Sequence, residues 1–361
     1  MIKKNKKIIF ISLYQVYPSY HGASDVTYNF FSNWSICEKK LIQIAEKTNK
    51  KRNIININPK LSIIGKLINL IIITFVAKKE LTNYKKKIII IEGASWIGYV
   101  YFLIKLLNIL IKNVKIIYHA HNLEYEVRKL KNSKIISLIS FYFEKFTYQN
   151  TLGTSVSIKD KNFIKKNYLK KTILFENFVH PVKSKKNKKL KLKKNNFVFF
   201  CGSYSYWPNK IAIKKIIRNR NIILSKFPNI KFAFTGKDFP LIKDKNIVNL
   251  KVVSKANLVW LYKNCLFFYA PMPKAPGTKM KLLESIYYKS TIICSKHAIE
   301  GIKKLKKIKY IFYKDEKKLI KYLDYIKFNK LDKNNSEFIN YYNCQKRIKI
   351  LENEIIQTNN L

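Results

Sequence analysis

The stretch Pro271-Met-Pro-Lys-Ala-Pro-Gly-Thr-Lys-Met-Lys-Leu-Leu-Glu284 sets a proline- and glycine-rich loop directly against a helix start. Three prolines and Gly277 rule out regular structure up to Thr278, a competent N-cap. Beyond it the spacing turns helical. Met280, Leu283 and Ile286 share one face, while Thr278, Lys281 and Glu284 recur three apart on another. A helix N-terminus carries free N–H groups and roughly half a positive charge, so it attracts anions. Lys279 and Lys281 add formal charge there. Glu284, about a turn and a half in, is an acceptor-only group suited to a pair of sugar hydroxyls. The pattern predicts a nucleotide site, with diphosphate at the helix tip and ribose on the carboxylate. The competing reading is an ordinary helix start with a surface Lys281/Glu284 pair.

Outward from this segment the chain alternates β-branched runs with helical stretches. Residues 7–13, 53–56, 88–92, 115–118, 152–156 and 172–175 read as strands in the first half. Residues 197–201, 231–235, 247–253, 265–270, 291–295 and 310–312 do so in the second. That alternation predicts two doubly wound α/β domains with parallel sheets, facing a central cleft at the carboxyl ends of their strands. Between them, residues 183–195 hold a like-charge lysine block that predicts a solvated linker. The expected division is therefore 1–182, the linker 183–195, 196–330, and a helical tail 331–361 that packs back toward the N-terminal domain.

The 361 residues carry 72 Lys+Arg against 21 Asp+Glu, a formal charge of +51. Such a charge permits an anionic partner without identifying one, because Ile, Asn, Tyr and Phe are also abundant, as A/T-rich codons would produce. A 47% hydrophobic share excludes a disordered chain. Five scattered cysteines without a C-x-x-C predict reduced thiols in the cytoplasm. No cleavable signal is expected. The apolar stretches 61–77 and 97–111, broken by Lys66 and Lys105, fall short of the ~20 residues that span a bilayer. They predict buried helices flanking a sheet, with a membrane-facing surface helix as the alternative.

The run Gly277-Thr-Lys-Met-Lys-Leu-Leu-Glu-Ser-Ile286, followed by Ser290-Thr-Ile-Ile-Cys-Ser295 and Ala298-Ile-Glu-Gly-Ile302, resembles the nucleotide-binding signature of family 4-type glycosyltransferases. Phe199-Phe-Cys-Gly-Ser-Tyr-Ser-Tyr-Trp-Pro-Asn209 is similar to the run that opens their second domain. Tyr118-His-Ala-His-Asn-Leu-Glu124 is similar to their His-Asn-x-Glu segment, and Tyr20-His-Gly-Ala-Ser24 to the glycine-rich loop after strand one. The resemblance is close in the second half and looser in the first. It implies the two-Rossmann GT-B fold, a UDP- or GDP-sugar donor and transfer with retention of anomeric configuration. The basic charge and the lysine-interrupted apolar helices suit an anionic membrane, so the expected acceptor is a glycan or lipid-linked molecule in envelope polysaccharide or lipopolysaccharide assembly, at the inner face of the cytoplasmic membrane.

Residue by residue, Gly202 and Ser203 would let backbone approach the phosphates, with Gly277 and Thr278 at the helix tip. Lys279 and Lys281 would neutralise the diphosphate, and Glu284 would hold the ribose. His119 and His121 sit where a strand enters a loop. The resemblance places His121, with Asn122 and Glu124, near the transferred sugar or acceptor, and His21 with Gly22 on the acceptor side. His180 and His297 read as structural. No metal is expected: there is no Asp-x-Asp, and five dispersed histidines lack paired acidic ligands. Pro276 stands where many relatives carry a second glutamate, which leaves the donor sugar open. A nucleotide-sugar epimerase on the same architecture and a nonenzymatic polyanion binder are the alternatives. No specific nucleic acid is expected, since no recognised module interleaves aromatic and basic residues.

Overall fold

The computed structural model describes residues 4–19, 22–35, 38–46, 51–60, 62–93, 96–131, 134–185, 190–303, 311–312, 315–328 and 335–357. The chain divides into two compact units, Met1–Phe178 with Cys344–Leu361, and Val179–Asn343.

In the first unit, seven strands form a parallel sheet: β1 (Lys4–Ser12), β2 (Glu38–Ile44), β3 (Ile54–Ile57), β4 (Tyr84–Glu92), β5 (Val114–His119), β6 (Leu152–Ser155) and β7 (Ile173–Leu174). Their order is β3-β2-β1-β4-β5-β6-β7. Helices α1 (Gly22–Asn33), α2 (Ile63–Leu81), α3 (Ile97–Leu110), α4 (Glu124–Lys131), α5 (Lys134–Gln149) and α6 (Ile158–Asn167) make the crossovers. Ile8, Ile9, Phe10 and Ile11 are all buried, as an uninterrupted apolar strand must be when helices cover both sheet faces. Each such side chain contributes about 1.5–3 kcal/mol.

The second unit repeats the scheme with β8 (Phe197–Cys201), β9 (Lys231–Thr235), β10 (Ile247–Asn249), β11 (Phe267–Ala270), β12 (Ile292–Cys294) and β13 (Ile311–Phe312). Their order, β10-β9-β8-β11-β12-β13, is again parallel. Its helices are α7 (Trp207–Arg218), α8 (Arg220–Lys226), α9 (Lys255–Asn264), α10 (Met280–Tyr287), α11 (Glu316–Phe328) and α12 (Ser336–Tyr341), with a 3-10 turn at Lys296–Ile299. The last helix, α13 (Cys344–Gln357), belongs to the first unit.

Three features differ from the sequence expectation. Strand β2 was hidden by its opening Glu-Lys-Lys. Lys39 donates to the carbonyl of Ser32 at 2.7 Å and Lys40 pairs with Glu80 at 2.6 Å, which frees Leu41 and Ile42 for the core. The lysine block is not wholly a solvated linker: Leu190 and Leu192 are buried while Lys191 is exposed, an alternation that lays the segment on the second unit. The units divide at Phe178/Val179 and at Asn343/Cys344, so residues 335–343 of the expected tail lie in the second unit and only α13 lies in the first.

Helix α13 is tied into the first unit by polar groups as well as by Ile348, Leu351 and Ile355. Arg347 donates to Glu176 at 2.5 Å with both side chains buried, and Glu352 accepts from the Ser35 N–H at 2.6 Å. Removing one member of a buried pair strands the other charge. Arg347→Met is therefore expected to destabilise the first unit by about 3 kcal/mol, read as a lower urea midpoint; an unchanged midpoint would show that the pair contributes nothing net.

Candidate functional site

Strand β8 ends at Cys201, and Gly202 follows with φ +144°. A Cβ there would lie 2.4 Å from Lys281 Nζ and 2.5 Å from Asn209 Nδ2, so any other residue would have to push these side-chain tips aside at a φ that already favours glycine. Gly236, after β9, has φ +150°, and a Cβ on it would meet the Gly202 carbonyl oxygen at 2.3 Å. The two loops thus pack backbone on backbone. Asn209, in the first turn of α7, donates to the Ser203 carbonyl at 2.8 Å and accepts from the Lys281 ammonium. Ser203 Oγ meets Ser205 Oγ at 2.9 Å and donates to Asp238 at 3.1 Å.

The proline loop leads into α10, but the helix begins later than its sequence indicates. Its N-cap is Lys279, with no side-chain cap bond, whereas Ser62, Ser157 and Ser254 do cap α2, α6 and α9. Thr278 spends its hydroxyl on the Gly301 carbonyl at 3.4 Å, and Gly277 takes φ +75°. The positive pole of α10 therefore carries no side-chain cap, as is also true of α3, α7, α8 and α12, so its N–H groups are open to an anion. Lys279 is buried, and its ammonium donates back to the Ala275 carbonyl, closing the loop ahead of α10.

Lys281 is half-buried, with Nζ 4.7 Å from the Phe200 ring centroid. Burial pushes its ammonium down to about 8, while Cys201 and Glu284 pull the other way. Three residues on, Glu284 is buried and pairs with Lys255 from the first turn of α9. Lys255 escaped the sequence reading, since nothing in Ser254-Lys-Ala-Asn257 marks it. A ribose on Glu284 has to share that carboxylate with Lys255 or displace it.

In the first unit, the carboxyl ends of β1, β4 and β5 carry a second polar cluster. Register pairs Ser12 with Glu92 and Glu92 with His119. One oxygen of the fully buried Glu92, Oε2, takes His119 Nδ1 at 3.0 Å, His121 Nε2 at 2.9 Å and the Thr27 hydroxyl of α1 at 2.9 Å. Tyr14 reaches the Thr27 hydroxyl at 2.8 Å. Burial alone would raise the Glu92 carboxyl, but the two histidines hold it down to about 2. A carboxylate accepts only, so both ring nitrogens facing it donate, and neutral His121 keeps Nδ1 as its acceptor. Burial lowers the His121 pKa, opposed by Glu92.

The structure thus joins His119 and His121 through Glu92, a residue the sequence reading passed over. Two of the five histidines, His119 and His121, therefore do have an acidic partner, contrary to the sequence expectation. Glu92, His119 and His121 each bring one donor atom within 4.8 Å of the others, the donor set a metal ion would use. The other carboxylate oxygen of Glu92, Oε1, is buried and has no hydrogen-bond partner. His119 itself is buried, its ring 5.2 Å from those of both Phe30 and Phe175, so it supports the cluster and is not open to a substrate. Glu124 lies elsewhere in bonding terms. It opens α4, its carboxylate takes Arg128, and its N–H donates to Glu144 at 2.8 Å. Glu144, buried and pushed up to about 7, also takes the Tyr125 N–H and the Tyr168 hydroxyl, capping α4 from α5. Asn122 is half-buried in the turn between His121 and α4, and Gly22 is exposed at the start of α1. His21 lies outside the described residues.

No family model matches the chain, and no curated protein matches its sequence. Solved structures do. Sucrose-phosphate synthase from Thermosynechococcus elongatus has a TM-score of 0.75 at 11% identity, over 98% of this chain and 99% of that one. Anabaena HepE, solved with UDP and glucose, gives 0.67 at 10% identity, over 97% and 99%. The lipopolysaccharide outer core galactosyltransferase WaaB gives 0.61 at 13%, over 98% and 100%. At such identities the likeness concerns architecture alone, and that architecture is the GT-B fold.

The Glu92 carboxyl, depressed from 4.5 to about 2, supports the folded state fully above pH 4.5 and ceases to as pH falls toward 2. Glu92→Gln should flatten the acid limb of stability against pH and lower the His121 titration midpoint in NMR; an unmoved His121 midpoint would break the link.

Proposed function

We propose that this chain is a retaining, metal-independent glycosyltransferase. Its donor is a UDP- or GDP-sugar, and its acceptor a glycan or lipid-linked molecule of envelope polysaccharide assembly at the inner membrane face. The observation that carries the donor side is the α10 tip without a side-chain cap, with Lys281 held beneath Gly202 and Glu284 one turn further on. Glycosyl transfer breaks the bond between the anomeric carbon and the diphosphate, so negative charge gathers on the departing phosphates. A fixed helix pole and an ammonium already out of water stabilise that charge without reorganising, which is where electrostatic catalysis gains most. That HepE is solved with UDP and glucose adds support for a nucleotide-sugar donor. On the other unit, His121, oriented by Glu92, offers an acceptor nitrogen for a sugar or acceptor hydroxyl.

A thermal-shift and calorimetric panel of UDP, GDP and their sugars tests this. Binding of one nucleotide is expected, weakened at least tenfold by Glu284→Gln and by Lys281→Met, with product NMR showing a retained anomer. Donor turnover undiminished in Glu284→Gln would remove the ribose role, and a lack of response to any nucleotide would remove the transferase reading.

Lys281 also fixes a pH dependence. Its ammonium titrates near 8 in the free protein, and an anion favours the protonated form. Nucleoside diphosphate affinity should fall about tenfold from about pH 7 to 9, a loss absent in Lys281→Met. A flat wild-type profile would show that the ammonium takes no part.

A further inference from the structure

Helices α2, α3 and α5 each bury one face and leave the opposite face apolar. Helix α2 packs Leu70, Ile73 and Ala77 inward. It turns Ile64, Leu67, Ile71 and Phe75 outward, at 72%, 40%, 44% and 55% exposure. Their spacing is one helical stripe, not a scatter. Helix α3 continues it with Phe102, Lys105 and Ile109, and α5 with Ile135, Leu138, Tyr142 and Phe146. The helices are neighbours: Lys66 of α2 lies 5.9 Å from the Tyr99 ring centroid of α3, and Phe102 lies 5.8 Å from Phe143 of α5. Adjoining apolar stripes left in water mark an interaction surface.

Charge says what covers it. Lys66, Lys78, Lys79, Lys105 and Lys134 are exposed on these helices. The acids they carry, Glu80 and Glu144, are committed inward: Glu80 to Lys7 at 2.8 Å and Lys40 at 2.6 Å, Glu144 to the start of α4. A second copy would set cation against cation on a chain of formal charge +51. An anionic lipid surface complements both the lysines and the apolar stripe. No helix among the described residues is long and apolar enough to cross a membrane, so the face would lie on a bilayer and not span it.

We propose that the α2–α3–α5 face docks on an anionic phospholipid membrane, with its aliphatic and aromatic side chains at the acyl boundary and its lysines among the headgroups. The inference deepens the membrane-face location put forward above and rests on that part of it, not on the transfer chemistry.

Sedimentation of the full chain with phosphatidylcholine vesicles, with and without about 30% phosphatidylglycerol, tests it, with UDP response by thermal shift recorded separately. Wild type is expected to partition at least about tenfold better onto the anionic vesicles. The outward-facing triple variant Ile64→Ser, Ile71→Ser, Phe75→Ser should lose about tenfold of that at constant salt, with its circular dichroism and UDP response unchanged. Equal partitioning of the variant would reduce the effect to bulk charge and overturn the proposal. So would wild type that ignores anionic vesicles, or a dimer in light scattering that the same variant dissolves. A chain that binds lipid but no nucleotide would keep this inference while losing the transferase reading.

Discussion

An ammonium withdrawn from water has to be accommodated by its surroundings, and in the second unit that demand organises three elements. Lys281 comes from α10, its amide partner Asn209 from α7, and the ring beneath it, Phe200, from β8. They meet in the space that Gly202 leaves by having no side chain, and Gly202 is itself held by the close approach of Gly236 from the next strand end. Its hydrogen-bond partner Asn209 is neutral, and Glu284 offsets the burial only in part. Placing a cation beside a neutral partner away from water costs stability.

Much of the second unit was legible because its chemistry is written locally. Loop, helix start, lysine and carboxylate all fall within residues 271–284, and spacing alone predicts their faces. The cap was misplaced by one residue because Thr278 had a rival partner, Gly301, that lies 23 positions away. Lys255 was illegible for the same reason: its pairing with Glu284 spans 29 positions. In the first unit, strand ends were readable and the histidine pair with them. Glu92 was not, since an acid closing an apolar strand acquires meaning only from the register that sets it beside His119. Periodicity reveals faces of one element; it does not reveal which elements lie side by side.

Composition alone made the lysines look interchangeable, and the fold sorts them. Lys7 is buried between Glu38 and Glu80, Lys279 closes a loop, Lys281 waits beneath a glycine, and others edge an apolar helix face. The excess charge is diffuse in sequence but not in space.

Helix α13 completes a unit whose other residues end at Phe178, with the whole of 179–343 intervening. On the ribosome, the earlier portion therefore emerges long before the segment that finishes it. Until Arg347 and Glu352 appear, the contacts that tie α13 to Glu176 and to the Ser35 amide cannot form. The unit begun first is thus the last to be sealed, and loss of α13 would injure the unit built from the residues up to Phe178.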